Sequence, residues 1–238
     1  MSAPPDDEEY TMSFGGRLSV LIGLFVVAIG FALWGVFGFL LTGPPTVDFT
    51  SAQTPSGTID MTVQTVPAIG FGPQPVWVSY LVMNPAGHWI HSTVWKLPAH
   101  TRINMTIYQY DSGSPLRNQN WGRVQGTAGG FATYNGKPIT YYDSNTGNNG
   151  VGHTFSVPAI GLSVPLIGVN GNATNTCGAA PCTTNFAHNT MKFSFTTPGA
   201  GSYNWQCFVP CGGGYLYGNG GPMSTLGYMG GFLDVVNT

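Results

Sequence analysis

Residues 18–41 form one unbroken apolar run with Ser19 as the sole polar side chain. At 1.5 Å per residue a helix of that length covers the ~30 Å hydrocarbon core of a bilayer. Asp6-Asp7-Glu8-Glu9 and then Arg17 precede it, and Gly43-Pro44-Pro45 follows as a helix stop. The acidic head, the length of the run and the lack of a small-residue cleavage site argue for an uncleaved anchor rather than a signal peptide. Arg17 favours a cytoplasmic N-terminus by the positive-inside rule. The expected layout is a cytoplasmic tail at 1–16, a transmembrane helix at 17–42 and an extracytoplasmic domain at 43–238, in a single-pass protein of the cell membrane. Beyond Pro44 the helical period disappears. Short alternating or β-branched runs replace it at 76–82, 102–110, 191–196 and 232–236, separated by Pro, Gly and Asn clusters. That pattern predicts an all-β sandwich. Two long connections, 111–152 and 168–185, are expected to be loops with a task of their own.

Composition agrees with this pattern. Glycine is abundant, at 35 residues, aromatics reach 13 %, and charged residues are only 7 % of the chain. Helical bundles need far more Ala, Leu, Glu and Lys, and disordered chains bury far fewer aromatics. A formal net charge of −2 offers nothing for nucleic acid to bind. Beyond the apolar run the acids are Asp48, Asp60, Asp111, Asp143 and Asp234, with no close pair in sequence. G-x-S-x-G and H-E-x-x-H are both absent, so hydrolytic chemistry has no visible machinery.

Chemistry concentrates in the four cysteines. Cys177 and Cys182 enclose Gly-Ala-Ala-Pro, a spacing that suits a local disulfide in an oxidising compartment. Cys207 and Cys211 lie in Trp-Gln-Cys-Phe-Val-Pro-Cys-Gly, which follows a Pro-Gly turn and leads through Met229 into a valine-rich last strand. In this order the stretch resembles the copper loop of cupredoxins, and Cys-x-x-x-Cys-Gly is similar to the dinuclear copper loop of subunit II of haem–copper oxidases. Upstream, Gly152-His153-Thr-Phe-Ser-Val-Pro158 resembles the segment that carries the family's first histidine ligand. Residues 97–107 resemble the strand placed ahead of it. The resemblance implies a cupredoxin-like Greek-key sandwich and a copper set of His153, Cys207, Cys211 and Met229. It also implies a subunit that caps the polytopic membrane subunits of a respiratory oxidase, with an electron-donor protein as a further partner. A single anchor is similar to the shorter, one-helix form of that subunit.

The pattern is incomplete. The family's second histidine has Tyr215 or Leu226 at the corresponding places, and no histidine follows His188. Val209 stands where a glutamate usually supplies a backbone carbonyl. One imidazole, two thiolates and a thioether suit a single soft ion, copper(I) above all. A Cys207–Cys211 disulfide over an empty site is the other reading, and the missing second histidine favours it, with a capping or docking role for the domain within the complex. His188 is the candidate for the missing imidazole, while His88, His91 and His100 read as ordinary structural residues. A free-standing membrane-tethered copper carrier and a non-redox surface or metal-delivery protein are the other functional classes.

Overall fold

The computed structural model describes residues 13–40, 43–147, 149–212 and 220–238. The chain divides into two compact units, Met1–Gly43 and Pro44–Thr238. The acidic tail and Tyr215 lie outside the described residues.

The first unit is a helix, α1, at Phe14–Gly35, continued by a π-turn at Val36–Leu40. It begins a few residues before the expected start because Ser13 caps it, accepting the Gly16 N–H at 3.3 Å. No residue of α1 is buried. Its apolar side chains point outward on every side, Phe25 at 67 % and Phe31 at 71 % exposed, so water is a poor solvent for it. The stretch Phe14–Gly38 is long and apolar enough to cross a membrane.

The second unit is all β. Its strands are β1 (Thr46–Asp48), β2 (Ile59–Val66), β3 (Ser79–Met83), β4 (Trp89–Ile90), β5 (Val94–Pro98), β6 (Arg102–Gln109) and β7 (Ala132–Tyr134). They continue as β8 (Lys137–Ile139), β9 (Val151–Val157), β10 (Leu162–Ile167), β11 (Asn189–Thr196), β12 (Gly201–Gln206) and β13 (Gly230–Val236). Among the described residues six strands make one sheet in the order β1-β5-β13-β12-β9-β10, and seven make the other in the order β4-β3-β2-β6-β11-β7-β8. Both sheets are mixed: β5 runs parallel to β1 and β13, and β2 runs parallel to β6. Sequence neighbours β5 and β6 lie in different sheets, so the chain crosses between layers, and the sandwich expected from the alternating runs is what forms.

Alternation explains the core. In β6 every second residue, Ile103 through Ile107, is fully buried, and β11 does the same with Met191, Phe193 and Phe195. Between the sheets, Trp95 stacks on Trp205 at 4.9 Å, and Tyr80 meets Trp205 edge-on at 4.9 Å. Such pairs add roughly 0.5–1.5 kcal/mol each beyond the area they bury. β9 and β10 break the alternation, with every residue buried. The connection 111–150 covers their outer side, bridging Ser114 to Val151 and Gln125 to Ser163. Hence polar residues such as Thr154, Ser156 and Ser163 are buried in these two strands.

Two expectations change. The run 76–82 becomes a strand only from Ser79, because Pro73 and Pro75 shape a loop in which the Trp77 N–H bonds Gln74 O and Trp77 O accepts the Ile69 N–H. The connection 111–152 is not structureless. It contains the β7–β8 hairpin, which pairs with β11, and Gly152 already belongs to β9.

Candidate metal centre

The site sits where two strands part. β12 and β9 pair once, Gln206 against Ser156, and then separate. Beyond that point side chains replace the ladder. The Thr154 N–H donates to Cys207 Sγ at 3.4 Å, and the Phe208 N–H donates to Thr154 Oγ1 at 2.8 Å. The Cys207 N–H donates to Met229 O at 2.9 Å, tying the head of the cysteine loop to the start of β13. The approach there is close. A Cβ on Gly231 meets Thr93 O at 1.8 Å, so only glycine fits, and Thr93 O also accepts from Trp205 Nε1 and the Phe232 N–H.

Into this fork β9 projects His153, 1 % exposed. Its Nδ1 lies 2.8 Å from Cys211 Sγ and 4.0 Å from Cys207 Sγ, and the two sulfurs are 3.2 Å apart. Cys207 and Cys211 are therefore thiols, both buried, and the expected alternative of a disulfide between them is not formed. Val209 O turns back toward both sulfurs, 2.9 Å from Cys211 Sγ and 3.4 Å from Cys207 Sγ. Three of the four expected ligands, His153, Cys207 and Cys211, thus converge, with all donor atoms within 4.8 Å of one another. Met229 is fully buried and attached to the cluster through its backbone carbonyl.

The geometry fits an ion. A triangle with sides of 2.8, 3.2 and 4.0 Å has its circumcentre ~2.0 Å from each corner. Metal–imidazole bonds run at about 2.0–2.1 Å and zinc–thiolate bonds at about 2.3 Å, so an ion held just off this plane reaches all three atoms. Soft thiolates beside one imidazole select copper(I) or zinc over hard cations.

Electrostatics prepare the donors. Burial raises the Cys207 thiol, but bonds from Cys211 and His153, the charged imidazole and the Thr154 N–H outweigh it and hold Cys207 well below the ordinary thiol range. The neighbouring Cys207 thiolate, helped by burial, pushes Cys211 up, since two bare thiolates 3.2 Å apart repel. Burial pushes His153 down, yet Asp111 and Cys207 outweigh it and raise its pKa to about 9. Closing the cluster on a cation therefore displaces protons from Cys211 and His153.

Two supporting residues were not visible in the sequence. Asp111 Oδ2 lies 3.2 Å from His153 Nε2. Tyr80, fully buried, packs its ring 6.4 Å from the imidazole and donates its hydroxyl to Thr154 O at 3.0 Å. Asp111 follows β6 and stands 42 positions before its partner, and nothing in either segment advertises the pairing. His188 is not the missing imidazole: it packs against the rings of Tyr108 and Tyr110, and its Nδ1 faces Phe186 O at 2.8 Å. Leu226 is 43 % exposed. His88 and His100 are exposed, and His91 bonds Ser79 Oγ at 3.0 Å. Away from the site, Cys177 and Cys182 form the expected disulfide.

No family model matches the chain, and no curated protein matches it. Solved structures of rusticyanin are similar over most of the length. One, described as a copper protein, is 14 % identical over 82 % of this chain and 87 % of its own, with a TM-score of 0.35. Rusticyanin from Thiobacillus ferrooxidans is 15 % identical over 82 % of this chain and 86 % of its own, with a TM-score of 0.34. A reduced rusticyanin is 16 % identical over 80 % and 84 %, with a TM-score of 0.30.

Proposed function

We propose that this chain is a membrane-tethered, cupredoxin-type copper protein that relays single electrons. Its apolar helix is the tether, and His153, Cys207 and Cys211 hold one copper ion, with Met229 as a weak fourth donor. The observation that carries this reading is the cluster of one buried imidazole and two unbonded, buried thiols whose donor atoms all lie within 4.8 Å of one another. When bound, copper supplies one-electron chemistry between its +1 and +2 states. The protein's part is to keep the donors in place and dry. β9 fixes His153, the Thr154 N–H steadies the Cys207 sulfur, and Tyr80, packed edge-on against Trp205, lies beside the imidazole. A rigid donor set lowers the cost of changing oxidation state, because little has to move.

The partner in this reading is a polytopic haem-bearing subunit of a respiratory oxidase. It takes the electron that a reduced donor protein delivers to the copper. The Cys-x-x-x-Cys-Gly spacing and the Val209 carbonyl turned to both sulfurs support this placement over a free-standing carrier.

The test is a copper titration of the reduced, purified full chain. The expected result is one copper per chain, two thiols consumed and an intense thiolate-to-copper absorption band. A colourless, copper-free protein with a Cys207–Cys211 disulfide assigns the domain a docking role instead. Copurification of a haem-bearing membrane subunit supports the oxidase placement, and its absence after mild solubilisation favours the free-standing carrier.

A further inference from the structure

His153 uses only one of its ring nitrogens on the thiols. The other, Nε2, is buried and has no hydrogen-bond partner among the described residues. Asp111 Oδ2 is nevertheless 3.2 Å away, at ion-pair distance though off the line of the N–H.

Asp111 is held for that task. Its Oδ1 accepts the Ser112 N–H at 2.8 Å, which leaves Oδ2 for the histidine. Its backbone carbonyl accepts the Val169 N–H at 2.9 Å and Gln109 Nε2 at 3.2 Å. Gln109 is fully buried and is itself fixed by the Thr65 hydroxyl, which donates to its Oε1. Two glycines let the loop lie this close. A Cβ on Gly152 meets Gln109 Nε2 at 2.3 Å, and one on Gly168 meets the Gly113 nitrogen at 2.2 Å. A carboxylate held this firmly against a buried imidazole orients a metal-ligating histidine, fixes which nitrogen carries the proton and raises the basicity of the other.

We propose that Asp111 is the positioning residue of the centre. It holds the proton on His153 Nε2, so that Nδ1 alone faces Cys207 and Cys211. This rests on the metal-binding reading of the cluster. The same negative charge favours copper(II) over copper(I), so Asp111 also keeps the reduction potential low.

The experiment loads the full chain in detergent with zinc(II) and, separately, with copper(I). It compares the native protein with Asp111→Asn, Asp111→Ala and Asp111→Glu. Chelator competition is expected to show affinity falling about 10–100-fold in the Asn and Ala variants and largely restored in the Glu variant. Nitrogen-15 NMR of the zinc-loaded native protein is expected to show His153 bound through Nδ1 and protonated at Nε2. A redox titration of copper is expected to give a higher potential in Asp111→Asn. Unchanged affinity in both Asn and Ala variants, or ligation through Nε2, overturns the proposal while leaving the metal site standing. A native protein that binds neither ion overturns both. Asp111→Asn nearly matches the native volume, and the NMR result needs no variant, so poor folding of Asp111→Ala decides nothing.

Discussion

His153 Nδ1 lies 2.8 Å from Cys211 Sγ, closer than the 3.2 Å between the two sulfurs of Cys207 and Cys211. The imidazole is thus in the cluster and not merely beside it. A disulfide alone gives no reason for a buried histidine against the second sulfur; a shared ion gives one.

That placement makes the three donors unequal to their neighbours on replacement. Cys207→Ser is expected to abolish stoichiometric copper binding, because the hydroxyl is a hard donor in a soft set. His153→Ala is expected to do the same, because it removes the imidazole donor from the cluster. Metal analysis of each variant after dialysis checks both. Retention of one tightly held copper in either variant contradicts the assignment.

Gly231 is predicted to be irreplaceable. An alanine there places its Cβ 1.8 Å from Thr93 O, and that carbonyl is pinned by the Trp205 indole and the Phe232 N–H. Overpacking of this kind costs about 1–3 kcal/mol, and more where the neighbour is pinned. Urea unfolding of Gly231→Ala checks it, and a loss under about 1 kcal/mol contradicts the close approach.

The disulfide is predicted to contribute modestly. Cys177 and Cys182 are separated by 5 positions, and closing so short a loop stabilises by about 2 kcal/mol in the chain-entropy account. The loop is also fastened to β2, where Gln64 Oε1 accepts the Cys182 N–H at 2.7 Å. Denaturant unfolding of the Cys177→Ser, Cys182→Ser double variant measures the loss. Copper binding is expected to survive, because the metal thiols are a separate pair.

These two pairs also show how much the sequence told. Spacing alone was enough for Cys177–Cys182, since four intervening residues leave few other partners. For Cys207 and Cys211 spacing left metal and disulfide both open, and only the third partner, His153 from a distant strand, tips the balance. The strands at 102–110 and 191–196 were legible because they alternate over a half-exposed sheet. The burial of both faces of β9 and β10 was not legible, because the polar residues Thr154, Ser156 and Ser163 are covered by chain distant in sequence. Asp111 was invisible for a similar reason. Its role comes from a loop packed on glycines 152 and 168, and no local pattern encodes that contact.

Acid is predicted to weaken the fold through His91. Burial lowers its pKa below the usual histidine value, against a raising bond to the Gly227 backbone. The folded state therefore resists protonating His91 while the unfolded chain accepts the proton near pH ~6.5. Stability from this residue is complete above that pH and declines as pH falls from there toward the lowered folded value. Thermal unfolding at pH 7.5 and 5.5 is expected to show a smaller drop in His91→Gln than in the native protein. An equal drop contradicts this.

Copper-edge X-ray absorption of the copper-loaded full chain is the most direct test of the central claim. The account predicts two sulfur scatterers at about 2.2–2.3 Å and one imidazole nitrogen at about 2.0 Å. A shell of oxygen and nitrogen alone, with no sulfur, contradicts it.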